Sequence, residues 1–229
     1  RALNKMNGTV WAEFSDPVAA IPTTTPEEVV AELDYAIGEF GLKGIMISGN
    51  VHRHVPQVEE EAPEWVRHAM WYDHMAMDSK YDYDPFWSKC VELKVAPTSH
   101  AGHQGVGSMK SISSYVYNHI GSFNHANHAF CKAVFLGGVA KRFPTLKFAF
   151  LEGGVGWAVN LLADITEHWD KRNKDVISNY DPKNLDTKKL AEYFRKFGGE
   201  LISGKENSFV NYLETLKADF ENSDELDEF

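Results

Sequence analysis

Cysteine is scarce in this sequence, with two among 229 residues, Cys90 and Cys131. Two isolated thiols, each in a segment of helical character, exclude a disulfide framework and a zinc ribbon and fit a reducing, cytoplasmic setting. Positive charge is short as well: 23 Lys and Arg stand against 33 Asp and Glu, a formal net charge of −10. A surface of that sign repels phosphate backbones and anionic headgroups, which removes nucleic acid and membranes as expected partners. Part of the excess is local, because Asp219 to Phe229 (DFENSDELDEF) carries six acids and no base and reads as a solvated end. No apolar run approaches the ~18 residues that a membrane span requires, and a signal peptide is not expected among these residues. The first residue is Arg, so a longer natural chain is expected. No GxSxG elbow, HExxH pair or GxGxxG loop follows a strand, and low-complexity linkers are missing too.

What is present is an ordinary globular composition, 43% hydrophobic with a generous 13% of aromatics. Its length allows one large domain or two small ones. DPVAAIP (Asp16 to Pro22) is a short apolar run that leads into a helix. There Thr25 is placed as N-cap, Pro26 as the first helical residue, Glu28 as the returning acid of a capping box and Gly41 as the stop. Val29, Leu33, Ala36, Ile37 and Phe40 form its apolar face. GIMIS (Gly44 to Ser48) follows as a strand covered on both faces, which completes a βαβ unit.

Residues 50–84 show no sustained period and are too long for a simple connection, so an inserted loop or small subdomain is expected there. The alternation then resumes with a helix over Pro85 to Lys94 and a third strand, VAPTSH (Val95 to His100). One or two helices between Ser111 and Arg142, broken near Gly121 and Gly137, come next. The fourth strand, PTLKFAFLE, runs into a helix from Gly156 to Arg172, where Ala158, Leu162, Ile165 and Trp169 mark an apolar stripe. Beyond Asn173 a polar, mainly helical extension (173–229) contains one weak strand candidate, FGGELISG. Four apolar strands, each followed by a helix or loop, predict an α/β protein with a parallel sheet, barrel or open.

In either arrangement ligands gather at the carboxyl ends of the strands. Three such ends carry polar residues: Ser48 to His54, Thr98 to His103, and Glu152 to Gly154. His52 and His54 form an HxH pair, but they flank Arg53 well past the strand and lack a partner acid, so they read as a solvent loop. His100 follows its strand directly, where a neutral imidazole can bind a divalent cation or bond to backbone. His103 is the weaker neighbour, and Gly102, Gly105 and Gly107 lack the lysine and serine of a P-loop. His125 and His128 share a helical face, as a surface or as two ligands. Glu152, in FLEGG, suits a metal ligand, a general base or an acceptor of backbone hydrogen bonds.

The runs NHIGSF and FLGGVAKRFPTLKFAFLEGGVGW, and the helix LLADITEHWDKR, resemble the amidohydrolase-related family. This is the metal-dependent group that includes aminocarboxymuconate-semialdehyde decarboxylase and other nonoxidative decarboxylases. PEEVVAELDYAI and GLKGIMISG agree with it, and RFPTLKFAFLEGG is the most specific part of a likeness covering residues 16–172.

The resemblance implies a (β/α)₈ TIM barrel of amidohydrolase type, with the four strands as its third to sixth and residues 1–172 as its central part. It also implies a divalent metal, usually zinc, at the carboxyl ends of the strands. The family holds that metal with an HxH pair on strand one, a histidine on strand five and an aspartate on strand eight. His100 matches the strand-five ligand; His52 and His54 do not match the first pair, and nothing matches the aspartate. Decarboxylases of the family commonly end strand six in histidine, where this chain has Glu152.

The expected function is therefore metal-dependent hydrolysis of a small carboxylated or carbonyl compound. Nonoxidative decarboxylation is the alternative, and a non-catalytic barrel-derived binding protein a third reading. His100 is the expected metal ligand, Glu152 the residue that positions water or shuttles a proton, and His119, in NHIGSF, a residue lining the pocket. Homo-oligomerisation is expected from the resemblance alone.

Overall fold

A computed structural model describes residues 1–100 and 110–221. Its order is helix α1 (Ala2–Thr9), strand β1 (Val18–Ala20), helix α2 (Pro26–Leu33), strands β2 (Gly44–Ile47) and β3 (Val51–His54), helix α3 (Pro56–Glu61), strand β4 (Met70–Asp73), helix α4 (Asp84–Leu93) and strand β5 (Pro97–Ser99). Helices α5 (Tyr115–His119), α6 (Ser122–Leu136) and α7 (Val139–Arg142), strand β6 (Ala149–Phe150) and helices α8 (Gly156–Arg172), α9 (Lys174–Ile177), α10 (Thr187–Phe197) and α11 (Glu206–Glu221) follow. Contacts divide the chain into two compact units, residues 1–161 and 162–229. His103 and the glycines around it, like the last eight residues of the acidic tail, lie outside the described residues.

In the first unit β1, β2, β5 and β6 form one parallel sheet in that order, with helices in the connections. These are the four predicted strands, arranged as one arc of a (β/α)₈ barrel. The register puts Ala19, Ile45 and Pro97 in one row, all buried. With Ile47 they face a core built from Val29 and Leu33 of α2, Phe86, Trp87 and Cys90 of α4, and Phe130 and Val134 of α6. Burial pushes the Cys90 thiol up to about 12, so it packs as a small apolar group. The opposite face carries Ala20, Met46, Thr98 and Ala149 in one row and is only partly covered.

Local chemistry explains the helix ends. Thr25 Oγ1 accepts from the Glu28 N–H, Pro26 occupies the first turn, and Gly41 at φ +66° ends the segment after a π turn over Asp34–Glu39. The 4-3-4 stripe of α8 did not predict its buried side: Leu161 is buried, whereas Leu162 and Trp169 are 67% and 49% exposed. Periodicity marks a face able to be buried, not a neighbour that buries it.

Residues 50–84 hold an antiparallel hairpin, β3 against β4, with α3 and a 3₁₀ turn (Pro63–His68) at its tip. His52 and His54 therefore lie on a strand and not in the loop expected for them. Their cross-strand partners are Tyr72 and Met70.

The outer edge of β1 is closed by a side chain. Asn4 of α1 accepts from the Ala20 N–H (2.9 Å) and donates to the Ala20 carbonyl (2.8 Å) and to Glu32 Oε1 (2.7 Å). Asn7 adds a bond to the Val18 carbonyl at 3.0 Å. Unpaired buried groups cost ~1–3 kcal/mol each, so Asn4→Ala is expected to destabilise the protein by about 2–4 kcal/mol. A lowered denaturant midpoint with unchanged m-value checks this.

The second unit is helical. Asn173 caps α9 and Asp186 caps α10, Phe194 stacks on Phe209 with ring centroids 3.7 Å apart, and Ala191 and Leu213 are buried. The predicted strand FGGELISG is instead the end of α10 and a 3₁₀ turn, Gly199–Leu201. Gly199 at φ +56° turns the chain there, and none of the described strands lies in this unit to pair with it.

Candidate active site at the strand ends

The parallel register sets the ends of β5 and β6 side by side: Ser99 stands opposite Phe150, and the Leu151 N–H donates to the Ser99 carbonyl at 2.9 Å. The next residue on each strand is a candidate. His100 Nε2 lies 3.3 Å from Glu152 Oε2, with both side chains partly exposed. Residues far apart in sequence thus form an acid–imidazole pair at the carboxyl rim of the sheet.

Glu152 reaches this position in a left-handed backbone conformation, φ +59°. That region is uncomfortable for any residue with a Cβ. Glycines follow for reasons of space and angle. A Cβ on Gly153 would meet Asn127 Nδ2 and Trp157 Nε1 at 2.8 Å, and Gly154 has φ +63°. Trp157 Nε1 donates to the Gly154 carbonyl at 3.0 Å and pins the turn.

His119 enters through aromatic contacts. Its ring stands edge-on to Phe123 with centroids 5.0 Å apart, and Phe123 meets the His100 ring in the same manner at 5.6 Å. Tyr115 stacks on His119 at 5.5 Å. His100 and Glu152 therefore touch, while His119 stands one ring further out.

A cleft of about 600 Å³ opens at the carboxyl ends of β1, β2 and β5. His100 and His52 both line it, with Met46, Ser48, Thr24 and Asn50. His52 packs edge-on against Tyr72 at 4.6 Å, and His54 Nδ1 lies 3.6 Å from Glu59. The HxH pair thus divides: one member borders the cleft, and the other faces the hairpin's own helix.

Three residues of this region escaped the sequence reading. Arg53 Nε meets Asp73 Oδ2 at 2.9 Å, Nη2 donates to the Tyr83 hydroxyl at 2.9 Å, and Nη1 donates to the Thr24 carbonyl at 2.8 Å. Tyr83 donates in turn to the Thr23 carbonyl at 2.7 Å. The network ties the hairpin to the loop after β1, so it braces one wall of the cleft. Burial opposes the Arg53 charge, but Asp73 and Tyr83 overcome it and raise its pKa. Burial pushes the Tyr83 phenol up to about 12, so it stays a neutral donor. The available signal was a lone aspartate in the aromatic run MWYD.

His74, also unforeseen, places Nδ1 3.2 Å from the Gly49 carbonyl. Burial lowers its pKa against the pull of that carbonyl and Asp73, with Lys132 and His125 adding to the fall, so its ring is neutral near pH 7. His125 of the predicted helical pair thus lies within electrostatic reach of His74.

The His100–Glu152 pair fits one part of a metal centre: a histidine that binds a cation through one nitrogen while an acid orients the ring through the other. Among the described residues, no group of three or more His, Cys, Asp and Glu side chains is placed to hold a metal ion. No helix among them is long and apolar enough to cross a membrane.

A family model described as Amidohydrolase matches residues 2–180. No curated protein matches the chain significantly. Among solved structures, an amidohydrolase from Mycobacterium avium subsp. paratuberculosis is similar at 16% identity and a TM-score of 0.44, over 77% of this chain and 44% of that one. The chain therefore spans less than half the length of that relative.

Proposed function

The chain belongs to the amidohydrolase family, whose members are in general metal-dependent barrel enzymes, and on that premise we propose that its protein hydrolyses a small carboxylated or carbonyl compound with a divalent metal, zinc foremost. The observation that supports this most is the contact of His100 with Glu152 at the carboxyl rim, where barrel enzymes keep their chemistry. Glu152 orients the imidazole through Nε2, and its carboxylate can take a proton from water or return one to a leaving group. The other ring nitrogen of His100 is the one to hold the cation. A bound divalent ion supplies the electrophile, polarising a carbonyl or lowering the pKa of water to about 7. His119, Phe123 and Tyr115 offer flat rings beside the pair, against which a planar substrate group can lie.

Hydrolysis is preferred to decarboxylation because a carboxylate stands where decarboxylases resembling this chain commonly carry histidine. The distinction from a non-catalytic barrel is experimental. Elemental analysis of the natural full-length protein is expected to give about one divalent ion per chain. His100→Ala should lower that occupancy at least tenfold. A metal-free protein whose stability does not respond to zinc would overturn the proposal.

A further inference from the structure

The His100–Glu152 pair depends on one buried side chain in neither strand. Asn127 of α6 is fully buried, and its amide reads both strand ends together. Its Oδ1 accepts from the Ser99 hydroxyl at 3.3 Å, and its Nδ2 donates to the Leu151 carbonyl at 2.8 Å. Ser99 immediately precedes His100, and Leu151 immediately precedes Glu152.

We infer that Asn127 is a positioning residue that fixes the spacing and facing of His100 and Glu152. The chemistry demands an amide. One atom must accept from a hydroxyl while its neighbour donates to a carbonyl, and a carboxylate or a hydrocarbon of equal size does only one of these or neither. The surroundings are shaped to this contact. A Cβ on Gly49, at the end of β2, would meet Ser99 Oγ at 2.5 Å, and one on Gly153 would meet Asn127 Nδ2 at 2.8 Å. Two glycines thus make room for the clamp. Backbone pairing alone leaves a rim residue in a left-handed turn free to swing, whereas a bond to the preceding carbonyl holds Glu152 where its φ of +59° is sustained.

The functional weight of Asn127 rests on the proposed chemistry, but its positioning role is measured without it. Natural full-length protein labelled at histidine and phenylalanine is examined by NMR through the cross-relaxation between the His100 and Phe123 rings, with the Phe130–Phe148 contact of the core as internal reference. Asn127→Asp keeps the acceptor for Ser99 and loses the donor to Leu151; Ser99→Ala does the reverse and spares the rest of the site. In both variants the His100–Phe123 signal is expected to fall at least twofold, with its ring-proton shifts moving, while the core reference stays constant. Asn127→Asp should further abolish the response of the His100 ring shifts to Glu152→Gln, because the pair is already parted. Unchanged His100 signals in both variants, with only a lower melting temperature, would reduce Asn127 to a packing residue and overturn the inference. If the signals change but turnover does not, the positioning stands and the catalytic reading of the pair falls.

Discussion

Glu152→Gln is expected to lower turnover by the natural full-length protein ~10²–10⁴-fold, the usual contribution of a positioned acid or base, while leaving the fold intact. Glutamine keeps the size and the hydrogen-bonding carbonyl oxygen, so the loss isolates the proton-accepting carboxylate. Glu152→Gly supplies the control on stability. A residue with a Cβ at φ +59° stores on the order of 1 kcal/mol that glycine does not. The partly exposed pair with His100 returns only about 0–1 kcal/mol. Glycine is therefore expected to leave the melting temperature equal or slightly higher and still abolish turnover. A position that resists the backbone, adds little to stability and is required for activity is held for chemistry. Full activity in Glu152→Gln would remove Glu152 from the mechanism.

Arg53→Ala is expected to cost ~3–5 kcal/mol, because it leaves a buried carboxylate without its counter-charge. The Asp73 side chain is 0% exposed and that of Arg53 10%, so solvent cannot substitute for the lost partner. Ser79 and the Met75 N–H still bond to Asp73, but neither carries charge. The same change releases the hairpin from Thr24 and the Tyr83 hydroxyl from its guanidinium, loosening the wall that bears His52. Stability and substrate affinity should fall together. Chemical denaturation of Arg53→Ala, Asp73→Ala and the double variant tests the account: the double should cost clearly less than the sum of the singles. A single-variant loss under about 1 kcal/mol would contradict the buried-pair assignment.

Much of this architecture is legible one segment at a time. Thr25 and Pro26 announce a helix start, and the Thr25 cap on the Glu28 N–H is present. The span of α8 follows from a run of helix formers after the glycines, and the breaks near Gly121 and Gly137 separate α5, α6 and α7. Three of the four parallel strands stand out as short apolar runs (VAA, GIMI and AF), and the fourth, PTS, continues the apolar Val95 and Ala96. The hairpin was hidden because its strands, VHRH and MWYD, carry polar or aromatic residues on both faces and lack the alternation of a half-buried strand.

Strand and helix patterning was enough to determine an α/β chain and to nominate His100 and Glu152 as strand-end residues, since caps, turns and periodicity act within a few residues. The family was legible only as a resemblance in runs such as RFPTLKFAFLEGG. Only the tertiary structure decided that these two meet, that His119 stands one ring away, and that Arg53, Asp73 and Asn127 brace the site. The meeting of His100 and Glu152 depends on strand register, and the bracing bonds of Arg53, Asp73 and Asn127 on burial, which converts bonds between distant residues from negligible in water to decisive in the core.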